Sequence, residues 1–120
     1  MKSLIVTKIF HFDAAHNLIA YHGKCEKLHG HTYKLCVSVK GTLDEEGMVL
    51  DFAVLKQIVT DRVLKILDHS YINDIIEQPS AENIAIWIWQ SLYDSLCFDN
   101  CTLYEIQVWE TQSSFATYNG

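Results

Sequence analysis

An α+β sandwich, with an antiparallel sheet and two helices packed on one of its faces, is the fold class this sequence predicts. Three observations lead there. Two long stretches near the N-terminus and two shorter ones near the C-terminus are rich in Ile, Val, Phe, Tyr and Thr, the composition of pleated, half-buried strands. The middle of the chain carries two apolar stripes at helical spacing. The resulting order is strand, strand, helix, helix, strand, strand, which places consecutive strands beside one another and leaves both helices to cover one side.

The first strand covers residues 3 to about 16, and the second runs from about 31 to 41, ending at Lys40-Gly41 before the polar turn Leu43-Asp44-Glu45-Glu46-Gly47. From Phe52 to Leu67, Leu55, Val59, Val63 and Ile66 recur at helical spacing. A second helix begins near Ser80, with Pro79 before it, Ser80 as N-cap and Glu82 in the first turn, where a carboxylate suits the helix dipole. Its stripe is Ile84, Trp87, Ile88 and Leu92. Residues 101 to 111 alternate and form the third strand, and Phe115 to Tyr118 add a short fourth. A sheet of four strands has open edges, which are often closed by another subunit, so a homo-oligomer is expected.

With 120 residues, 49% of them hydrophobic, the chain reads as one domain, 1–120, whose core needs no disulfides. A net charge of −6 argues against a nucleic-acid binder, which would show a basic face. The longest N-terminal apolar patch, Leu4-Ile5-Val6, is too short for a signal or membrane segment. The expectation is a cytoplasmic protein with reduced thiols, in which Cys36, Cys97 and Cys101 are packing residues. Trp87, Trp89 and Trp109 read as core or interface aromatics. There is no glycine-rich phosphate loop and no dinucleotide fingerprint, so no nucleotide cofactor is expected.

The stretch that carries chemistry is Cys25-Glu-Lys-Leu-His29-Gly-His31. Strand residues two apart share a face, so His29 and His31 can reach one ion. On the first strand Leu4, Val6, Phe10, Phe12, Ala14 and His16 share the apolar side, whereas His11 falls with Thr7 and Asp13. His16 is therefore the better third ligand. Neutral imidazoles suit zinc, and three of them leave a tetrahedral ion one open position. Cys25 is either the fourth ligand of a closed structural site or a base or nucleophile standing back from the metal. Asp68 and His69 form an acid–imidazole pair at a helix end. On the third strand Thr102, Tyr104, Ile106, Val108 and Glu110 fall on one side, so a carboxylate closes an otherwise apolar row and requires a cation or a ligand with N–H donors. Asp51 and Glu82-Asn83 have ready explanations as turn or helix-start residues.

These residues belong to a longer pattern: Phe12-Asp-Ala-Ala-His16, the cysteine–histidine stretch, Gly47-Met-Val-Leu-Asp51-Phe52, Leu67-Asp68-His69, Pro79-Ser-Ala-Glu82-Asn83 and Trp109-Glu110-Thr111. Over nearly its whole length the chain resembles the 6-pyruvoyltetrahydropterin synthase and 6-carboxytetrahydropterin synthase family. The resemblance implies the tunnelling fold, four antiparallel strands with two helices on one side, assembled into a hexamer whose sheets close into a barrel. It implies one Zn2+ per subunit on His16, His29 and His31, Cys25 as general base, and Asp68 and His69 completing a relay. It implies that Glu110 holds the pterin ring and that the segment Ser80, Ala81 and Glu82 contacts it; many relatives carry threonines where this chain has Ser80-Ala81. Lys24 and Lys27 are candidates for meeting the triphosphate. The implied substrate is 7,8-dihydroneopterin triphosphate. The three-residue gap between Cys25 and His29 looks like the bacterial carboxy enzymes of queuosine biosynthesis, while the alternatives are a pyruvoyl synthase and a non-catalytic zinc module.

Overall fold

The computed structural model describes residues 2–23 and 26–120. Two strands of 13 residues, β1 (Leu4–His16) and β2 (His29–Gly41), pair antiparallel along their whole lengths from Leu4↔Gly41 to His16↔His29. This ribbon sets the long dimension of a molecule measuring 53 × 25 × 23 Å. Helix α1 (Phe52–Val59) follows, capped by Asp51, whose carboxylate accepts from Ala53 N at 2.8 Å. It runs through a π-helical turn, Thr60–Leu64, into the short α2 (Lys65–Leu67). Next come the two-residue β3 (Ser70–Tyr71), a 3-10 turn (Ile72–Asp74) and helix α3 (Ala81–Leu92). Strands β4 (Cys101–Trp109) and β5 (Phe115–Tyr118) complete the sheet in the order β3-β1-β2-β4-β5.

The expected architecture holds with one addition. β3 lies parallel to β1 at Ala14 and Ala15, so the sheet has five strands and is mixed rather than wholly antiparallel. Among the described residues, β1 is paired on its outer edge only at those two positions. β2 also begins at His29 rather than near 31, which puts both of its metal-binding candidates on the strand.

One cluster of buried residues joins Phe10, Phe12, Tyr33, Leu35, Val37, Ile106 and Val108 of the sheet to Leu55, Val59, Val63 and Leu67 from the first helical run and Ile84, Ile88 and Leu92 of α3. Each such side chain contributes roughly 1.5–3 kcal/mol on burial. Two details depart from the expected faces. Leu67 is buried and Ile66 is 45% exposed, because the wider π turn lets a spacing of four residues stay on one side of the helix. On β4 the pairing jumps from Ser38↔Glu105 to Val39↔Leu103. This bulge reverses the parity, so Cys101 and Leu103 are buried while Thr102 is exposed; only Ile106, Val108 and Glu110 of the expected row share the inner side. Cys97 is exposed, unlike Cys36 and Cys101, and is therefore not a packing residue. No helix among the described residues is long and apolar enough to cross a membrane.

Candidate metal and substrate site

The pleat of the β1–β2 ribbon brings His16, His29 and His31 together at its end. His16 and His29 are cross-strand partners, and His31 lies opposite Ala14, one step along the same face. Each pair of the three rings meets edge to face, with centroids 4.7–5.1 Å apart. His16 is buried, and its Nδ1 donates to Pro79 O at 2.8 Å. His29 Nδ1 donates to Lys27 O at 2.9 Å. Backbone carbonyls only accept, so both rings carry their proton on Nδ1 and turn a lone pair outward on Nε2. The two Nε2 atoms stand 3.1 Å apart. Two facing lone pairs repel unless a cation lies between them.

His31 and Glu110 complete the cluster. Glu110 Oε1 lies 3.2 Å from His31 Nε2 and 3.8 Å from His16 Nε2. Despite that proximity, His31 Nε2 is buried and without a hydrogen bond among the described residues. Burial holds the His31 imidazole below its ordinary pKa, against the pull of Glu110 and with the push of His16 and His29. A neutral, orphaned ring nitrogen beside two convergent lone pairs and a carboxylate is a donor set for a divalent metal, and the four ligand atoms lie within 4.8 Å of one another. Beneath them Tyr33 is fully buried, stacked on Phe12 and edge-on to His16 and His31. Its hydroxyl also lacks a partner among the described residues, and burial, with Glu110 and Glu26 adding to it, pushes its pKa up.

Glu110 opens on its other side into a cavity of about 390 Å³ lined also by Ala81, Glu82, Ser114, Phe115, Ala116 and Thr117. The expected contact segment at the start of α3 thus meets the expected ring anchor. Ser80 does not line the cavity: its hydroxyl accepts from Asn83 N at 3.1 Å as the N-cap of α3. The carbonyl just before it, on Pro79, orients His16. Lys27 is exposed, and its described part in the site is that carbonyl to His29. Ser114, Phe115 and Thr117 were not singled out from sequence, because a short edge strand gives no sign of which cavity it borders.

Asp68 and His69 stand apart from the histidines. Asp68 Oδ1 accepts from Asp13 N at 3.0 Å and lies 3.1 Å from His69 Nδ1, while His69 N donates to Asp13 O at 2.6 Å. His69 adopts a left-handed backbone, φ 60°, which turns the chain from α2 into β3. Asp13 has the opposite parity to His16 on β1, and this second group is exposed throughout. Cys25 and Lys24 lie outside the described residues.

Comparison with known proteins places this geometry. The sequence profile described as "6-pyruvoyl tetrahydropterin synthase" matches residues 5–120. The chain is 41% identical over 121 residues to "6-carboxy-5,6,7,8-tetrahydropterin synthase" of a Synechocystis species, covering 95% of this chain and 92% of that protein. It is also 41% identical over 110 residues to "Dihydroneopterin monophosphate aldolase" of Pyrococcus furiosus, covering 92% and 91%. Among solved structures, the 6-pyruvoyl tetrahydropterin synthase of Caenorhabditis elegans superposes with a TM-score of 0.83 at 26% identity, over 100% of this chain and 97% of that one.

Proposed function

Because this chain belongs to the 6-pyruvoyl tetrahydropterin synthase family, we propose that it is a zinc-dependent 6-carboxy-5,6,7,8-tetrahydropterin synthase. It would convert 7,8-dihydroneopterin triphosphate to 6-carboxytetrahydropterin, acetaldehyde and triphosphate on the way to queuosine and other 7-deazapurines. The observation that carries this reading is the position of Glu110, with one carboxylate oxygen at the three-histidine cluster and the side chain on the wall of the 390 Å³ cavity. Such a carboxylate can accept two parallel hydrogen bonds from the N–H and amino edge of a pterin. The substrate side chain is then directed toward the imidazoles.

In this reading His16, His29 and His31 hold the ion, with their rings fixed by Pro79 O, Lys27 O and burial. Zinc, when bound, polarises and acidifies the hydroxyls of the substrate's three-carbon chain. Cys25 moves a proton as general base. Asp68, 3.1 Å from His69 Nδ1, fixes that imidazole's tautomer for a relay. Ala81, Glu82 and Phe115 wall the ring, and the exposed Lys27 would meet the triphosphate. A homo-oligomer, a hexamer with the sheets closed into a barrel, would cover the open edge of β1 and the exposed Ile5, Ile9 and Phe115.

The Synechocystis relative supports the carboxy product, and the equally similar aldolase supports a second reading in which a dihydroneopterin monophosphate is cleaved. One experiment separates them. The zinc-loaded protein is incubated with 7,8-dihydroneopterin triphosphate or with the monophosphate, products are identified by mass, and acetaldehyde is assayed. Carboxytetrahydropterin with acetaldehyde from the triphosphate is expected. A pyruvoyl product without acetaldehyde assigns the pyruvoyl synthase reaction, and turnover of the monophosphate alone assigns the aldolase. No turnover of either at full zinc occupancy returns the chain to a structural zinc module.

A further inference from the structure

Glu110 sits where two demands on one carboxylate meet. Its Oε1 is 3.2 Å from His31 Nε2 and 3.8 Å from His16 Nε2, and the His16 and His29 nitrogens are 3.1 Å apart. A tetrahedral ion with ligands at about 2.0–2.1 Å spaces neighbouring ligand atoms about 3.3 Å apart. Two of the observed separations, 3.1 and 3.2 Å, are close to that edge length, the third, at 3.8 Å, is longer, and all four ligand atoms lie within 4.8 Å of one another. The missing hydrogen bond at His31 Nε2 fits as well, since a neighbouring ligand in such a site lies about 35° off the ring's lone-pair axis. Three imidazoles and Glu110 therefore form a complete four-coordinate set. Yet Glu110 also walls the cavity beside Ala81 and Glu82, and a carboxylate gripping a ring edge with both oxygens cannot hold the ion as well.

We propose that Glu110 is an exchangeable ligand: it closes the metal site while the cavity is empty, and a bound pterin ring draws it off and opens the fourth position. This rests on the pterin reading above and adds to it a coupling between substrate arrival and metal access. The backbone is built for such a movement. Glu110 lies one residue beyond the end of β4, its N–H is held by Ser114 O at 3.1 Å, and its side chain is 30% exposed, so rotation about its side-chain bonds moves the carboxylate without disturbing the sheet.

The test uses the full chain loaded with cobalt(II), whose visible absorption responds to the identity and number of its ligands, and pterin itself, the ring without the hydroxylated side chain, as probe. Wild type alone should show the spectrum of a site with Glu110 bound, and saturating pterin should shift it as the carboxylate leaves. Glu110→Ala should begin with the shifted spectrum, and its zinc affinity, by competition with a chromophoric chelator, should fall by at least about tenfold. Glu110→Gln, which retains the side-chain volume, should show the same weakening. Identical spectra and affinities for wild type and Glu110→Ala overturn the proposal. A wild-type spectrum unmoved while pterin fluorescence reports binding also overturns it, by making Glu110 a permanent ligand. Absence of pterin binding to wild type defeats the substrate reading and the exchange with it, while the difference between wild type and Glu110→Ala still reports whether Glu110 ligates the metal.

Discussion

Among the described residues, imidazole and carboxylate cluster twice, once beneath the start of α3 and once at the edge of β1. At the first meeting His16 is buried, two rings have their protons fixed by carbonyls, and His31 is kept neutral by burial. At the second, Asp13, Asp68 and His69 are all exposed, and Asp68 divides its oxygen between a backbone N–H and the His69 ring. The contrast teaches that residue type alone does not make a metal site. Fixed tautomers and the burial of His16 make the first a place where convergent lone pairs suit an ion. The second lies open to solvent, so nothing there forces its polar atoms to converge on an ion.

The largest expected effect breaks the first group and spares the second. His16→Ala should reduce bound zinc, measured by elemental analysis after gel filtration, by more than the ~10–100-fold in affinity that losing an outer-shell partner costs, and turnover should go with it. Asp68→Asn should leave zinc content unchanged and lower turnover by roughly 10²–10⁴, the usual worth of a general acid–base group. Loss of zinc in Asp68→Asn would mean that the two clusters are one site.

A smaller effect tests the floor beneath the histidines. Tyr33→Phe removes a buried hydroxyl that has no partner among the described residues, and an unsatisfied polar group of this kind costs about 1–3 kcal/mol. The metal-free variant should therefore unfold at a higher denaturant midpoint than metal-free wild type. A lower midpoint would reveal that the hydroxyl is satisfied, and would make Tyr33 part of the site's hydrogen-bonding rather than its packing.

The same contrast explains what could be read in advance. His16, His29 and His31 were legible as one face because strand parity needs only unbroken pairing, and β1–β2 pairs without a break. Thr102 and Tyr104 were not, because a bulge at Ser38/Val39 switches the parity of β4 and has no local signature there. Ser80 and Asp51 were legible as caps, since capping is a contact across two or three residues. The bond from Asp13 N to Asp68 spans 55 residues, and the addition of β3 depends on a left-handed turn at His69 that histidine permits but does not announce. Local chemistry was readable, whereas distant partners required the fold.

The finest test carries the rule of burial over to the thiols, where the sequence had treated Cys36, Cys97 and Cys101 alike. Cys97 is exposed. Burial pushes Cys101 above the ordinary 9.0, with Asp44 and Cys97 adding to it, and burial does the same to Cys36 against the pull of Lys34. In the unfolded chain these thiols release their protons first, so the stability they contribute is present below pH 9 and is lost as the pH rises through 9 toward the folded values. Alkylation at pH 8, resolved by peptide mass, should modify Cys97 at least about tenfold faster than Cys101, since only the exposed thiolate attacks. Gly41 pairs closely with Cys101, and an added Cβ there would collide with Asn100 O and with Cys101 itself. Gly41→Ala should push that end of β4 away and bring the Cys101 rate toward that of Cys97. An unchanged rate would show that the β2–β4 pairing tolerates the side chain and that Cys101 is shielded by other neighbours.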